Sequence, residues 1–529
     1  MATKYESDHA IGDNNVQIWG MDIHSPVFFV SATLIMVFVL ATVQFPGEAN
    51  SMLTSVRSWF LATFDSFMMI SVSSILIFCL MLIVLPVGKI RIGGDNSKPE
   101  FSRISWFSML FAAGMGIGLM FWGVAEPMTY YLGEGGTPLG VVPQTPAAAD
   151  MAMAATLYHW GLHAWSIYAV IALALAFFSF NCHLPLSLRS AFYPLLGERC
   201  WGWPGHVIDI FAVLATIFGL ATSLGLGASQ VNAGLTMLFG TEDGLSSRIA
   251  IIIVVTVVAI ASVARGLDGG IKVLSNINMM LAALLLAFIA FVIGNVGILD
   301  PVMQTAGNYL ANIVPLSNWT GREDEQWLRD WTVFYWAWWV SWSPFVGLFI
   351  ARVSRGRTVR EFLIAVLLIP TFVTLLWMSV LGVNALYQVQ NEIGGLANGM
   401  ASISLATFQM LEALPYSGIT TVVSLILVLV FFITSSDSGS LVIDGITAGG
   451  KSDAPMIQRI FWATVQGLLA ATLLYGGGDH ALAALQAGTV AAGIPFTVIL
   501  LLVCVSLYKG LHAHMSELKI TDGARTSSR

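Results

Sequence analysis

Four tryptophans fall within seven residues of WTVFYWAWWVSWSPFVGLFIARVSRGR (331–357): Trp336, Trp338, Trp339 and Trp342. At about 100° per residue, Trp338, Trp342 and Phe345 share one helix face, with Trp339 at its flank. Tryptophans usually mark a membrane interface, but this run continues towards the middle of its apolar stretch. The segment LYHWGLHAWSIY (157–168) adds Trp160, Trp165 and Tyr168. Aromatic faces arranged as a box attract a cation that donates no hydrogen bonds, which means a quaternary ammonium. Core or belt packing would account for any one of these rings; the set favours a box. Ser343-Pro344 is expected to interrupt the helix that carries the second group.

Two further stretches carry oxygen ligands. FFITSSDSGS (431–440) ends an aliphatic run with Thr434, Ser435, Ser436 and Ser438. Such hydroxyls either bond back to the helix carbonyls or serve as hard ligands for a small alkali cation. Thr216, Thr222 and Ser223 lie in a stretch with no Lys or Arg between 206 and 236. FAAGMGIGLMFWGVAEP (111–127) is apolar enough to span a bilayer, yet Gly114, Gly116, Gly118 and Gly123 weaken it. Each glycine costs roughly 1 kcal/mol in a helix interior. Unwinding there would free backbone carbonyls, which membrane depth tolerates only beside a cavity. Close helix packing is the competing reason for small residues.

Other polar groups point less sharply. His159 and His163 have metal-like i, i+4 spacing but lack the glutamate of HExxH, so a packed or hydrogen-bonding role is expected. Glu126 and Asp437 are acids near membrane ends or breaks. Each reads as a gate partner for Arg352 or another arginine, or as a helix-end group.

These segments need elements to hold them. Of 529 residues, 57% are hydrophobic and 10% charged, against about 25% charged in a soluble chain. The chain reads as a polytopic all-α membrane protein. A crossing takes ~20 apolar residues, and twelve stretches qualify: 26–45, 63–87, 105–131, 149–177, 206–236, 249–264, 277–298, 327–350, 361–386, 418–436, 457–475 and 482–508. Residues 300–319 are amphipathic and expected to lie at the interface. With the N-terminus inside, Arg57, Arg248, Arg322 and Arg329 are the outer ones among 23 Lys and Arg, as the positive-inside rule requires. Both tails, 1–25 and 509–529, are therefore expected in the cytoplasm, with the spans in the plasma (inner) membrane. The four cysteines form no CxxC pair, and a phosphate loop is absent. An enzyme would want a polar constellation facing one cavity, and none is legible. Neither a cofactor nor nucleic acid is expected.

GMGIGLMFWGVAEP, HWGLHAWSIY, WAWWVSWSPFVGLFIARVSRGRTVREF and FFITSSDS together resemble the betaine/choline/carnitine transporter family. The resemblance runs from about residue 25 to 508, and the look is most that of the sodium-coupled glycine betaine carriers. It implies a LeuT-like fold. Two peripheral helices (26–87) would precede inverted five-helix repeats over 105–298 and 327–508, assembled as a homotrimer. It implies an ammonium site at Trp338, Trp339 and Trp342, reached past Trp160, Trp165 and Tyr168. The substrate carboxylate would meet the backbone at Met115, Gly116 and Ile117. One sodium would take the carbonyls of Ala112, Met115 and Phe431 and the hydroxyls of Thr434 and Ser435. The family's second sodium site pairs two threonines with an aromatic. Thr216 and Phe345 match it, but Leu220 stands at the other threonine position and cannot coordinate an ion. The function so implied is sodium-driven import of glycine betaine as a compatible solute. The alternative is proton-coupled or exchange transport of choline, carnitine, ectoine or dimethylsulfoniopropionate.

Overall fold

Long aliphatic runs without Pro or charge settle as helices because a bilayer leaves the backbone no other partners. In the computed structural model the described residues are all but 1–4, 6, 115, 265–269, 293–298, 452 and 528–529. The chain opens with an antiparallel hairpin, β1 (Asn15–Ile18) and β2 (Met21–His24). Its turn residues Trp19 and Gly20 both have positive φ, 52° and 76°, the I′ geometry that suits the twist of a two-residue hairpin. The N-terminal segment was expected only as a tail. Its hairpin is docked: Asn15 donates to the Ala448 carbonyl at 2.9 Å, and Asp22 pairs with Lys451.

The helices follow in order: α1 Ser25–Gln44, α2 Pro46–Val84, α3 Arg103–Gly114, α4 Ile117–Leu132, α5 Pro146–Trp160, α6 Leu162–Phe180, α7 Tyr193–Leu196, α8 Trp203–Phe239, α9 Leu245–Ala264 and α10 Gly270–Val292. Then come α11 Leu299–Ser317, α12 Glu325–Trp327, α13 Phe334–Val353, α14 Val359–Gln390, α15 Ala406–Glu412, α16 Ser417–Thr447, α17 Met456–Gly477 and α18 Ala481–Ser527. Among the described residues, 11 helical segments are long and apolar enough to cross a membrane. The third apolar stretch is not one of them, because it is divided into α3 (12 residues) and α4 (16 residues).

Burial sorts these segments. Over an apolar stretch of 18 residues, Pro146–Phe180 and Glu325–Val353 are 94% and 83% buried, whereas Leu245–Ser262 is 17% buried. Helices apolar on every face sit at the centre or against lipid, and the aromatic segments take the centre. There α13 packs on α6, α8 and α18.

Two expectations change. The fourth stretch is not one helix: it breaks at Gly161 (φ −102°, ψ −138°) into α5 and α6. Conversely, Ser343-Pro344 does not interrupt α13. Proline leaves the carbonyl four residues earlier without its helical donor. That carbonyl belongs to Val340, and the Ser343 hydroxyl donates to it at 2.7 Å. The amphipathic α11 lies on α5 and α14, burying Val302, Thr305, Tyr309 and Leu316.

Candidate substrate and ion site

The glycine-rich stretch gives way between α3 and α4. Gly116 is extended (φ −166°, ψ −174°), and the first turn of α4 receives no side-chain cap. Met115, expected to contribute its backbone, lies outside the described residues. Gly116 faces open space, while Ile117 is buried and its side chain reaches Gly227 of α8. Gly118 is needed for a close approach. A Cβ there would stand 2.6 Å from Cη2 of Trp160 and 3.4 Å from Cη2 of Trp338.

Around this break the structure brings the six aromatics together. One cavity is lined by Gly116 in the break, by Gly118 and Leu119 of α4, by Trp160 of α5, and by Ala164, Trp165 and Tyr168 of α6. Its other walls are Ser223 of α8, Trp338, Trp339 and Trp342 of α13, and Thr374 of α14. Ring centroids lie 4.8 Å apart for Trp160–Trp339 and 6.3 Å for Trp160–Trp338, both edge to face. Trp338 and Trp339 stack at 5.0 Å, and Trp342 stands at 84° to Trp338. Tyr168 meets Trp165 at 5.3 Å and Trp339 at 6.2 Å. Such a lining offers π faces and few hydrogen-bond acceptors, so it can hold a bulky methylated cation better than an ammonium with N–H groups to satisfy.

The walls are pinned from behind. Trp339 Nε1 donates to the His159 carbonyl at 2.8 Å, and Thr374 donates to the Trp160 carbonyl at 3.0 Å. Trp160 Nε1 donates to Oε2 of Glu126 at 2.8 Å. Glu126 is fully buried. Its Oε2 also accepts from the Tyr335 hydroxyl. Its Oε1 accepts from Tyr130 at 3.0 Å and from His159 Nδ1 at 2.8 Å. Nothing in the sequence marked Glu126 as such a hub, because its donors are scattered from Tyr130 to Tyr335. Arg352 is not among its partners.

A second cavity gathers Ala112 of α3, Thr434, Ser435 and Ser438 of α16, and Trp342, Phe345, Val346 and Phe349 of α13, with Ser275. The Thr434 hydroxyl lies 2.9 Å from the Val430 carbonyl and 3.3 Å from the Phe431 carbonyl. Ala112, Thr434 and Ser435 thus share one cavity, which Phe431 does not line, and the Thr434 hydroxyl bonds back to its own helix. Thr216 is fully buried on α8 and its hydroxyl has no partner among the described residues. It lines neither cavity, whereas Phe345 lines the second. Leu220 packs against Gly439 of α16, where a Cβ would come within 2.3 Å of its Cδ1.

Residues 26–516 match the family model described as "BCCT, betaine/carnitine/choline family transporter". The chain belongs to the BCCT family. Curated BCCT relatives agree. A glycine betaine/proline/choline/ectoine transporter of Vibrio parahaemolyticus is 56% identical over 96% of this chain and 91% of its own. Glycine betaine transporter 1 of the same organism is 56% identical over 96% and 97%. A glycine betaine transporter of Bacillus subtilis is 43% identical over 94% and 96%. This BCCT protein is therefore a multi-pass membrane transporter of the betaine type.

Proposed function

We propose that the protein imports glycine betaine by sodium symport through alternating access in the plasma (inner) membrane, with both termini in the cytoplasm. The observation that carries this reading is the aromatic cavity at the α3–α4 break. It places six rings beside an uncapped helix N-terminus, so a trimethylammonium and a carboxylate can be held at once. The ammonium rests among Trp338, Trp339 and Trp342, after passing Trp160, Trp165 and Tyr168. The carboxylate meets the backbone of Met115, Gly116 and Ile117, where the α4 dipole is positive. The cavity walled by Ala112, Thr434 and Ser435 takes the coupling sodium, with the carbonyls of Met115 and Phe431. Binding of both ligands across the same broken helix couples them: each raises the other's affinity by stabilising one closed state. With Leu220 in place of a ligand and Thr216 alone, we assign one sodium per substrate; a second site at Thr216 and Phe345 would need other ligands.

The accompanying architecture is twelve spans, two peripheral helices followed by LeuT-like inverted repeats over 105–298 and 327–508, in a homotrimer. A broader substrate range is a second reading, favoured by the Vibrio relative named for glycine betaine, proline, choline and ectoine.

Uptake of radiolabelled glycine betaine into liposomes tests both parts. An inward sodium gradient should drive accumulation with a first-order dependence on sodium. Equal uptake with potassium in place of sodium would overturn the coupling and favour proton symport or exchange.

A further inference from the structure

Glu126 differs from Asp209 and Asp444 in what faces it. Asp209 and Asp444, equally buried, each pair with an arginine, Arg189 and Arg459. No lysine or arginine contacts Glu126 among the described residues. Its partners are Tyr130, His159, Trp160 and Tyr335, and all four donate. Two donors on each oxygen fill the four lone-pair sites of a carboxylate, so a carboxyl proton would have to displace one of them.

The state of His159 decides the net charge of this cluster. Its Nδ1 must carry the proton it gives to Glu126. Its Nε2 lies 2.9 Å from the Thr332 hydroxyl. Thr332 is fully buried, and its hydroxyl can give its proton to Nε2 or accept one from it. In either form of the ring no lysine or arginine offsets the carboxylate, which stands directly behind the cavity wall that Trp160 helps to form.

That charge reaches the cavity through two rings. Trp160 donates its indole N–H to Glu126 and forms part of the cavity lining. Tyr335 donates its hydroxyl and lies 6.0 Å from Trp338 and 5.8 Å from Trp339, centroid to centroid. A ring that donates to a carboxylate gains electron density on its faces, because a charge-assisted bond polarises the donor. Enriched faces bind a cation more strongly.

We propose that Glu126 is the buried counter-charge that gives the aromatic cavity its preference for a cation over a neutral group of the same shape. It is a positioning residue: it touches no substrate and acts through Trp160 and Tyr335. The proposal rests on the betaine reading above and deepens it.

The test compares glycine betaine with its carbon isostere, 3,3-dimethylbutanoate, in which the ammonium nitrogen is replaced by carbon. Binding of each to purified full-length protein is followed by tryptophan fluorescence. The ratio of the two affinities is the cation preference. In Glu126→Gln this ratio should fall about tenfold, part of the roughly thirtyfold that one whole desolvated cation–π contact is worth. The loss should come from weaker betaine binding, with isostere binding unchanged or improved. Glu126→Asp, which keeps the charge, should restore most of the ratio. Equal weakening of both ligands would mean that Glu126 only shapes the site, and an unchanged ratio would mean that its charge is not felt; either overturns the proposal. Should Glu126→Gln fail to fold, Trp160→Phe retains a ring on the wall but removes its N–H, and the ratio should fall again. Failure of the unaltered protein to bind betaine would instead sink the betaine reading itself.

Discussion

Two membrane-embedded helices are broken at a glycine, and the protein treats the two breaks in opposite ways. At Gly161 the loose ends are taken up by protein. The Leu162 N–H donates to the Tyr309 hydroxyl of α11 at 3.2 Å, and the Trp160 and His159 carbonyls accept from Thr374 and Trp339. The space is full as well, since a Cβ at Gly161 would stand 2.6 Å from the Leu157 carbonyl oxygen. At Gly116 a Cβ would meet nothing within 4 Å, and α4 starts without a side-chain cap. One break fixes the shape of a wall; the other opens onto the cavity that the wall encloses. A backbone interruption in a membrane is thus a sign of function only where its polar groups are left for something other than protein.

The contrast can be broken by substitution. Gly161→Ala should have the largest effect. The new methyl meets a backbone oxygen that cannot step aside, and overpacking of that kind costs up to about 3 kcal/mol. A lower melting temperature in detergent should report it, while protein that survives binds betaine within about twofold of normal, since the cost is one of overpacking. On the open side, Trp342→Ala should leave the melting temperature nearly unchanged and weaken betaine by about 2 kcal/mol, the value of a desolvated cation–π contact. An unaltered affinity would remove the aromatic box from the account. Tyr309→Phe strips the packed break of one partner and leaves the Leu162 N–H unmet. Stability should fall by about 1 kcal/mol, with no change in sodium dependence of uptake. The smallest stability effect belongs to Gly116→Ala, within about 0.5 kcal/mol, because the methyl enters open space and an extended backbone suits alanine. There the change should appear in binding: betaine, which carries a carboxylate, should weaken, while choline, which lacks one, should not. Loss of both to the same degree would place no carboxylate at α4.

The same contrast explains what could be read from the residues alone. Four glycines in GMGIGLMFWG outweigh the apolar tendency of their neighbours, so the first break was legible. A single glycine in HWGLHAW does not, because one glycine is tolerated in a helix interior. The cause of the second break is tertiary: the Tyr309 hydroxyl comes from α11, 147 residues away. Pro344 misleads for the opposite reason. Its remedy is local, but it depends on which rotamer Ser343 adopts, and that is invisible in a string of letters. The aromatic set could be found by spacing because each group of rings lies within one helix or at one helix boundary. The Glu126 cluster could not, since its most distant donor is 209 residues along the chain. The second cavity was suggested by a run of hydroxyls, but its Ala112 wall lies on a helix far away in sequence.

The docked N-terminal hairpin also has a consequence in time. Asn15 meets the Ala448 carbonyl across 433 residues of chain, and the Asp22 N–H meets Gln458 across 436. At ~5–20 residues per second of synthesis, the hairpin waits roughly 20–90 s before its dock exists. These strands are therefore made long before the helices that hold them, and they find their place only after more than 430 further residues have been added.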